Sequence, residues 1–245
     1  MPAVEHAVIA AAGFGSRLGR GLPKCLVDFR GRTLLDRQLE LLTGVRDVRL
    51  VVGFREREVM AHALALRPDL TIVRNPAYAS TTTLRSYALG ARYLRRPCLF
   101  MDADIVFEPA SFAAFLQEAA QVAASSSSPL SRPLIGYTDA KTQDAVYVSV
   151  VDETIRAFDR QRPTPHEWAN LALLPPAYCE KGSGAVYERL SGDLPLPGAY
   201  VDSYEIDRPA DLEVAEAHYG RALPERTPAI PMPRSEHTGS PVSPH

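Results

Sequence analysis

The most constraining feature of this chain is an uninterrupted apolar run, Ala7-Val8-Ile9-Ala10-Ala11-Ala12, which opens onto Gly13-Phe14-Gly15-Ser16-Arg17 and then Pro23-Lys24. A run this short, closed by glycines, fits a strand buried on both faces of a parallel sheet. Open α/β sheets take their ligands at the carboxyl ends of such strands. Gly13 and Gly15 carry no side chain, so the backbone there can turn sharply and bring N–H groups against an anion. Between residues 17 and 32, five basic residues (Arg17, Arg20, Lys24, Arg30, Arg32) stand against Asp28 alone, a local balance of +4 in a chain whose formal net charge is -2. Charge concentrated in this way marks a local anion site, while the overall balance leaves no general field for a nucleic-acid backbone.

The pattern continues as strand and helix in alternation. Leu34 to Leu42 and residues 55 to 66 and 81 to 94 read as helices; Val48 to Gly53, Leu70 to Val73 and Cys98 to Met101 read as strands. The predicted fold class is therefore α/β, a Rossmann-like, doubly wound, mostly parallel sheet. With 245 residues, 46% of them apolar, the chain can bury a full-sized core. Ser125 to Ser128, with Pro129 and Pro133, reads as a linker, after which Ala145 to Val151 resumes as a strand. We expect a domain over residues 1–222, with an acceptor-side lobe at about 130–200, and a disordered proline-rich tail over 223–245. Cys25, Cys98 and Cys179 have neither disulfide nor zinc spacing and read as reduced thiols. The first residues lack the features of a signal peptide and no apolar run could span a bilayer, so the expected location is cytoplasmic, with no membrane or nucleic-acid partner and a homodimer left open.

Two common phosphate loops do not fit. A Walker loop needs Gly-x-x-x-x-Gly-Lys-Ser/Thr, and a dinucleotide loop needs a small third residue where Leu18 stands. Instead, Ala11-Ala12-Gly13-Phe14-Gly15-Ser16-Arg17-Leu18 followed by Pro23-Lys24-Cys25-Leu26-Val27 resembles the signature of the sugar-phosphate nucleotidyltransferases and of their relatives that activate phosphocholine and similar small phospho-compounds with CTP. The resemblance implies that Ala11 to Ser16 wrap a nucleoside triphosphate. It further implies that Arg17 contacts the β- and γ-phosphates, and that Lys24 contacts the α-phosphate and the transition state.

In such a reaction an acceptor phosphate, already an anion, attacks the α-phosphorus and pyrophosphate leaves, so catalysis is alignment and charge neutralisation. Mg²⁺ is the expected cofactor because it prefers carboxylate and phosphate oxygens. Asp104, two residues after Asp102 at the end of an apolar strand, is suitably placed for it. Ser203 to Leu212 resembles the family's closing motif, which implies that Asp104 and Asp207 carry the metal; Glu205 is closer to a supporting or acceptor-side role, and Asp211 reads as a residue of the first turn of the last helix. Asp102 is assigned to the nucleotide, with orientation of loop backbone as its alternative.

Asn75-Pro76-Ala77-Tyr78 and the threonines that follow resemble the segment covering base and ribose, which assigns Asn75, Thr83 and Ser86 to the nucleotide. An asparagine-rich turn is usual there; threonine offers a hydroxyl instead of an amide. Thr81 to Thr83 could alternatively cap the next helix. Gln143, Asp144, Glu167 and Trp168 are candidates for the acceptor, the last two as an aromatic and acidic cage, with Arg160 and Arg162 nearby. The expected activity is transfer of a nucleoside monophosphate, CMP favoured, to a small phosphorylated or phosphonylated acceptor. A sugar-1-phosphate nucleotidyltransferase is the alternative, a non-catalytic nucleotide sensor the more remote one, and a nicotinamide oxidoreductase is disfavoured by Leu18 and by the lack of an acid at Val52-Gly53-Phe54.

Overall fold

The structure, a computed structural model, describes residues 3–14, 21–125, 133–142, 144–180 and 184–220. Gly15, Ser16, Arg17, Gln143, most of the expected linker and the whole of the expected tail lie outside the described residues.

Strand β1 (His6–Ala11) is the apolar run itself, and Ala7, Val8 and Ile9 are completely buried. A short hairpin follows, β2 (Asp28–Phe29) and β3 (Arg32–Thr33), then α1 (Leu34–Leu41), β4 (Asp47–Val52), α2 (Glu56–Leu66), β5 (Thr71–Arg74), α3 (Thr83–Gly90) and β6 (Cys98–Asp102). Thr33 caps α1 through a reciprocal pair of bonds with Asp36. Helix α3 stops earlier than its sequence suggests, at Gly90, and Tyr93 then takes a left-handed conformation at φ 70°. Gly90 has no room for a side chain, because a Cβ there would run into Val8 and Val51.

Past β6 come β7 (Ile105–Phe107), α4 (Pro109–Ser125), β8 (Leu134–Asp139), β9 (Tyr147–Val151), β10 (Thr154–Asp159), β11 (His166–Leu174), α5 (Ala177–Glu180), α6 (Val186–Ser191), β12 (Leu196–Tyr200), β13 (Ser203–Glu205) and α7 (Pro209–Tyr219). Among the described residues nine strands form one sheet in the order β5-β4-β1-β6-β11-β8-β12-β10-β9. Strands β5, β4, β1 and β6 are parallel, as expected. Beyond β6 the sheet is mixed: β11 runs antiparallel to β6 and to β8, β12 is parallel to β8, and β10 is antiparallel to both β12 and β9. The expectation of a mostly parallel sheet is corrected to that extent. The reason is local: β9 and β10 are joined by two residues, Asp152 and Glu153, both left-handed, and a two-residue turn can only reverse the chain. The second part is thus an extension of the same sheet.

Alternate side chains of the central strands feed two separate cores. Ala7, Ile9, Leu50 and Met101 pack with α1, α2 and α4 on one face, and Val8, Val51 and Phe100 with α3, α5 and α6 on the other. Cutting a fully buried side chain such as Phe100 back to Ala would cost about 3–5 kcal/mol, so both faces are needed. A third cluster joins α7 to β2, β7 and β13 through Phe29, Tyr204, Ile206 and Tyr219. No described helix is long and apolar enough to cross a membrane.

The chain runs outward from β1 through β4 to β5 and then returns to place β6 on the other side of β1. The crevice at the carboxyl ends of β1 and β6, where the order reverses, is the natural ligand position in an open α/β sheet. Both Gly13 and the Asp102–Asp104 turn fall there.

Candidate active site

Pro23 holds φ at -55° before a single helical turn, Lys24–Leu26, that presents Lys24 to the crevice. The Lys24 ammonium donates to Asp104 Oδ2 at 2.9 Å and to Asp207 Oδ1. Burial by itself would lower the Lys24 pKa, but Asp104 and Asp207 outweigh it and hold the side chain charged well above the ordinary lysine range. Residues about a hundred apart meet because β13 pairs antiparallel with β7, setting Glu205 opposite Ile105, and because Ile206 N–H bonds to the Asp104 carbonyl.

One oxygen each from Asp104, Glu205 and Asp207 lies within 4.8 Å of the others. Asp104 Oδ1 is buried and has no hydrogen-bond partner among the described residues. An all-oxygen donor set with an orphaned buried carboxylate oxygen fits a hard divalent cation. Glu205, expected on the acceptor side, stands beside the two aspartates and also lines the second cavity described below, and Asn170 Nδ2 approaches it at 3.4 Å. Burial, reinforced by Asp104 and Asp207, pushes the Glu205 carboxyl up to about 9; burial and Asp104 push Asp102 up to about 8.

Asp211 accepts from the backbone N–H groups of Asp207 and Arg208 at 2.9 and 2.7 Å, so it caps α7 and fixes the Asp207 backbone. Gln38, which the sequence reading passed over, holds the Asp102–Ile105 turn by donating to the carbonyls of Asp102 and Ile105 at 2.8 and 2.9 Å. Its signal was present: a glutamine within the apolar stripe of α1, between Leu34, Leu35 and Leu42. Tyr87, also missed, donates to Asp102 Oδ1 at 2.6 Å.

Ala11, Ala12, Gly13, Lys24, Asn75, Thr83, Ser86, Asp102 and Asp104 line one cavity at the crevice. Asn75 is buried and spans the base-side segment, donating to Thr81 Oγ1 and Ser86 Oγ while its Oδ1 accepts from Ala77 N–H. The threonines do not cap α3: Thr82 is the N-cap residue without a side-chain bond, and its hydroxyl donates to the Gly184 carbonyl. Phe14 is half exposed at the mouth.

A second cavity, of about 230 Å³, adjoins the first through Thr82, Thr83 and Asp102. Asp144, Arg160, Glu167, Trp168, Asn170, Glu205 and Asp207 line it. Because β11 runs antiparallel to β6, its first half ends up beside the carboxyl end of β6, and a register shift between Trp168 and Ala172 leaves Asn170 left-handed at φ 51°. Glu167 lines this cavity beside Trp168, and its Oε2 accepts from Lys141 N–H, Thr142 N–H and the Thr142 hydroxyl at 2.9–3.2 Å, so that oxygen holds the 141–142 backbone. Trp168 is 8% exposed and packs edge-on to Phe158. Arg162 stays outward, paired with Asp159.

Behind this wall, Lys141 Nζ donates to Asp202 Oδ1, Thr138 Oγ1 and the Ser203 carbonyl, and Tyr219 OH also donates to Asp202 Oδ1. Burial would raise the Asp202 carboxyl, but the bonds and charge of Lys141, with His218 and Tyr219, outweigh it and hold it below its ordinary value of 3.8. A carboxylate whose folded pKa is depressed adds stability above its unfolded value, and that stability disappears as pH falls through the folded value. Asp202→Asn is therefore expected to destabilise by about 1–2 kcal/mol at pH 7, with the difference shrinking as pH falls through the depressed folded value, in denaturant titrations at neutral and acid pH.

Residues 7–164 match the family described as the MobA-like NTP transferase domain. The chain is 36% identical, over 204 residues, to CMP-5'-(3-aminopropyl)phosphonate synthase of Streptomyces rubellomurinus, covering 80% of this chain but only 32% of that longer protein. It is 28% identical to 2-C-methyl-D-erythritol 4-phosphate cytidylyltransferase of Saccharopolyspora erythraea, over 86% of this chain and 97% of the relative. Among solved structures, the inositol-1-phosphate CTP transferase from T. maritima superposes with a TM-score of 0.70 at 19% identity, over 87% of this chain and 94% of that one, a likeness of fold. With Gly13, Lys24 and the carboxylates standing at the sheet's switch point and the match running from β1 into the second part, the chain belongs to the MobA-like NTP transferase family.

Proposed function

We propose that the chain transfers CMP from CTP to a small phosphonate or phosphate acceptor and releases pyrophosphate. The observation that carries this reading is the Lys24 ammonium held between Asp104 and Asp207, beside one cavity lined by Ala11 to Gly13 and a second that adjoins it. In the proposal, residues 1–222 form the catalytic unit, with about 130–200 supplying the acceptor side. The first cavity takes the nucleotide through Ala11 to Ser16, Asn75, Thr83 and Ser86, and Arg17 neutralises the terminal phosphates. Lys24 meets the α-phosphate, where charge builds in the transition state. Asp104 and Asp207, with Glu205 as a third oxygen donor, would hold Mg²⁺, which supplies charge neutralisation and alignment of the phosphates. The acceptor enters the second cavity and attacks as an anion, so no protein base is required.

The acceptor class follows from the lining and from the relatives. With Glu205 and Asp207 given to the metal, Asp144 and Glu167 remain against Arg160 in the second cavity, which suits an acceptor with an ammonium group at the end away from its phosphonate. An aminoalkylphosphonate has that form, and the relative named for 3-aminopropylphosphonate supports it.

The test is pyrophosphate release from four nucleoside triphosphates against aminoalkylphosphonates, phosphocholine and sugar 1-phosphates. CTP with an aminoalkylphosphonate is expected to give the highest kcat/KM, and a chelator is expected to abolish it. Highest turnover with a sugar 1-phosphate, or turnover that survives the chelator, would replace the reading.

A further inference from the structure

Strands β8 and β12 run parallel and paired from Ile135 and Gly198 to Tyr137 and Tyr200, and the Val201 N–H still reaches the Tyr137 carbonyl at 2.8 Å. Beyond that point the two chains separate. One continues through Asp139 and turns along β11, where the Ala140 N–H bonds to the Pro165 carbonyl and the N–H groups of Lys141 and Thr142 bond to Glu167. This branch leads into the wall of the second cavity, which Thr142, Glu167 and Trp168 line. The other branch becomes β13, which leaves the nine-stranded sheet, pairs with β7 and carries Glu205 to Asp104 and Asp207. Among the described residues no strand ladder joins β13 to β8 or β11.

The Lys141 side chain spans this fork. Its backbone belongs to the cavity wall, while its ammonium donates to Asp202 Oδ1 at 3.0 Å and the Ser203 carbonyl at 2.8 Å on the other branch, and to Thr138 Oγ1 at 3.2 Å where the branches part. An ammonium has three protons, and all three are used. Asp202 is in turn fixed from behind: Tyr219 OH donates to its Oδ1 at 3.0 Å, its N–H donates to Ser111 Oγ at 2.8 Å, and its carbonyl accepts from Glu108 N–H at 2.9 Å. The lysine side chain is only 17% exposed. Burying a cation costs desolvation that a methionine of similar length avoids, so stability alone does not account for a lysine here. What three directional bonds add is a single geometry.

We infer that Lys141 is a positioning residue, a splint that fixes the wall of the second cavity against the strand carrying Glu205; that this wall receives the acceptor rests on the nucleotidyl-transfer reading above. The attacking oxygen must meet the nucleotide in line, so a wall displaced by about 1 Å lowers the rate strongly. Trp168 is the one tryptophan of the chain and lies buried in that wall next to Glu167, so acrylamide quenching of its fluorescence reports on the splint without any substrate. Lys141→Met keeps the stem and removes the ammonium, and is expected to raise the quenching constant at least ~2-fold as local opening exposes the ring. At saturating CTP, with the acceptor that wild type uses best, the same variant is expected to raise the KM for the acceptor about tenfold and to leave the KM for CTP within about twofold of wild type. Because Lys141→Met leaves the Asp202 carboxylate without its cation, Lys141→Met/Asp202→Asn is made beside it. Removing both charges should return most of the lost Tm but restore neither the acceptor KM nor the quenching. Tyr219→Phe takes one bond from Asp202 and leaves the ammonium in place, so it is expected to lower Tm with wild-type KM values and quenching. Wild-type quenching and acceptor KM in the double variant, or an equal rise in both KM values, would overturn the splint. A wild-type protein that turns over no triphosphate with any acceptor would instead remove the function reading, with the quenching still scoring the splint.

Discussion

Asp104→Asn and Asp207→Asn are each expected to lower kcat/KM by at least ~10²-fold while Tm holds or rises, by up to about 2–4 °C. Two opposing effects set this outcome. The carboxylates lie with Asp102 and Glu205 around the Lys24 ammonium, and burial together with their like charges pushes Asp102 up to about 8 and Glu205 up to about 9. Near neutral pH those two groups are therefore held uncharged, and the set as a whole carries more negative charge than Lys24 offsets. Replacing one aspartate by the neutral isostere relieves that repulsion, which favours the fold. The same replacement removes a charged oxygen from a three-member donor set whose members lie within 4.8 Å of one another, which weakens the hold on a divalent cation and the neutralisation of the phosphates. Steady-state kinetics across a range of Mg²⁺ concentrations, beside thermal melts, separates the two effects. Near-normal turnover in either variant would mean that the residue is not a ligand, and a large drop in Tm would mean that its role is structural.

The parts of this site legible in the sequence are those written in contiguous residues. The apolar run into Gly13, the Pro23-Lys24 pair and the Asp102-Ala103-Asp104 strand end each state a local conformation, and β1, the Lys24 turn and β6 have those positions in the fold. What escaped was set by pairing between distant strands. Nothing in the residues around Glu205 says that β13 will lie against β7, and it is this ladder that brings Glu205, which also lines the second cavity, within reach of Asp104 and Asp207. Glu167 and Trp168, adjacent in sequence, both line the second cavity, but the bonding of one Glu167 oxygen to the backbone of Lys141 and Thr142 is set by strand pairing and is stated by no local pattern. The mixed half of the sheet was hidden for the same reason: its directions are decided by short turns such as Asp152-Glu153, and carry no period that sets them apart from parallel strands.

Lys24→Ala is expected to cost about 10²–10³-fold in kcat/KM and, unlike the aspartate variants, to destabilise the metal-free protein by about 1–3 kcal/mol. The ammonium donates to both Asp104 and Asp207, and its removal leaves the two carboxylates facing each other without that charge. The pH dependence separates this loss from one intrinsic to the lysine. A lysine whose folded pKa is raised contributes stability that is complete below its unfolded value of about 10.5 and is lost only as pH rises through the folded value. Between pH 6 and 9 its own contribution is therefore flat, and any difference between wild type and Lys24→Ala that grows over this window comes from carboxylates ionising without their partner. Added Mg²⁺ should restore much of the lost stability, because it supplies positive charge to the same oxygens, but it should not restore turnover, because the contact to the α-phosphate is missing. Lys24→Arg sharpens the point: it keeps the charge, and hence the metal-free stability, yet replaces a compact ammonium by a wide planar fork that does not fit between Asp104 Oδ2 and Asp207 Oδ1 in the same way. Its turnover is expected to stay at least ~10-fold below wild type, the size of one misplaced catalytic contact. If Lys24→Arg is fully active, charge alone is what the site needs from this position, and the α-phosphate contact is not made by Lys24.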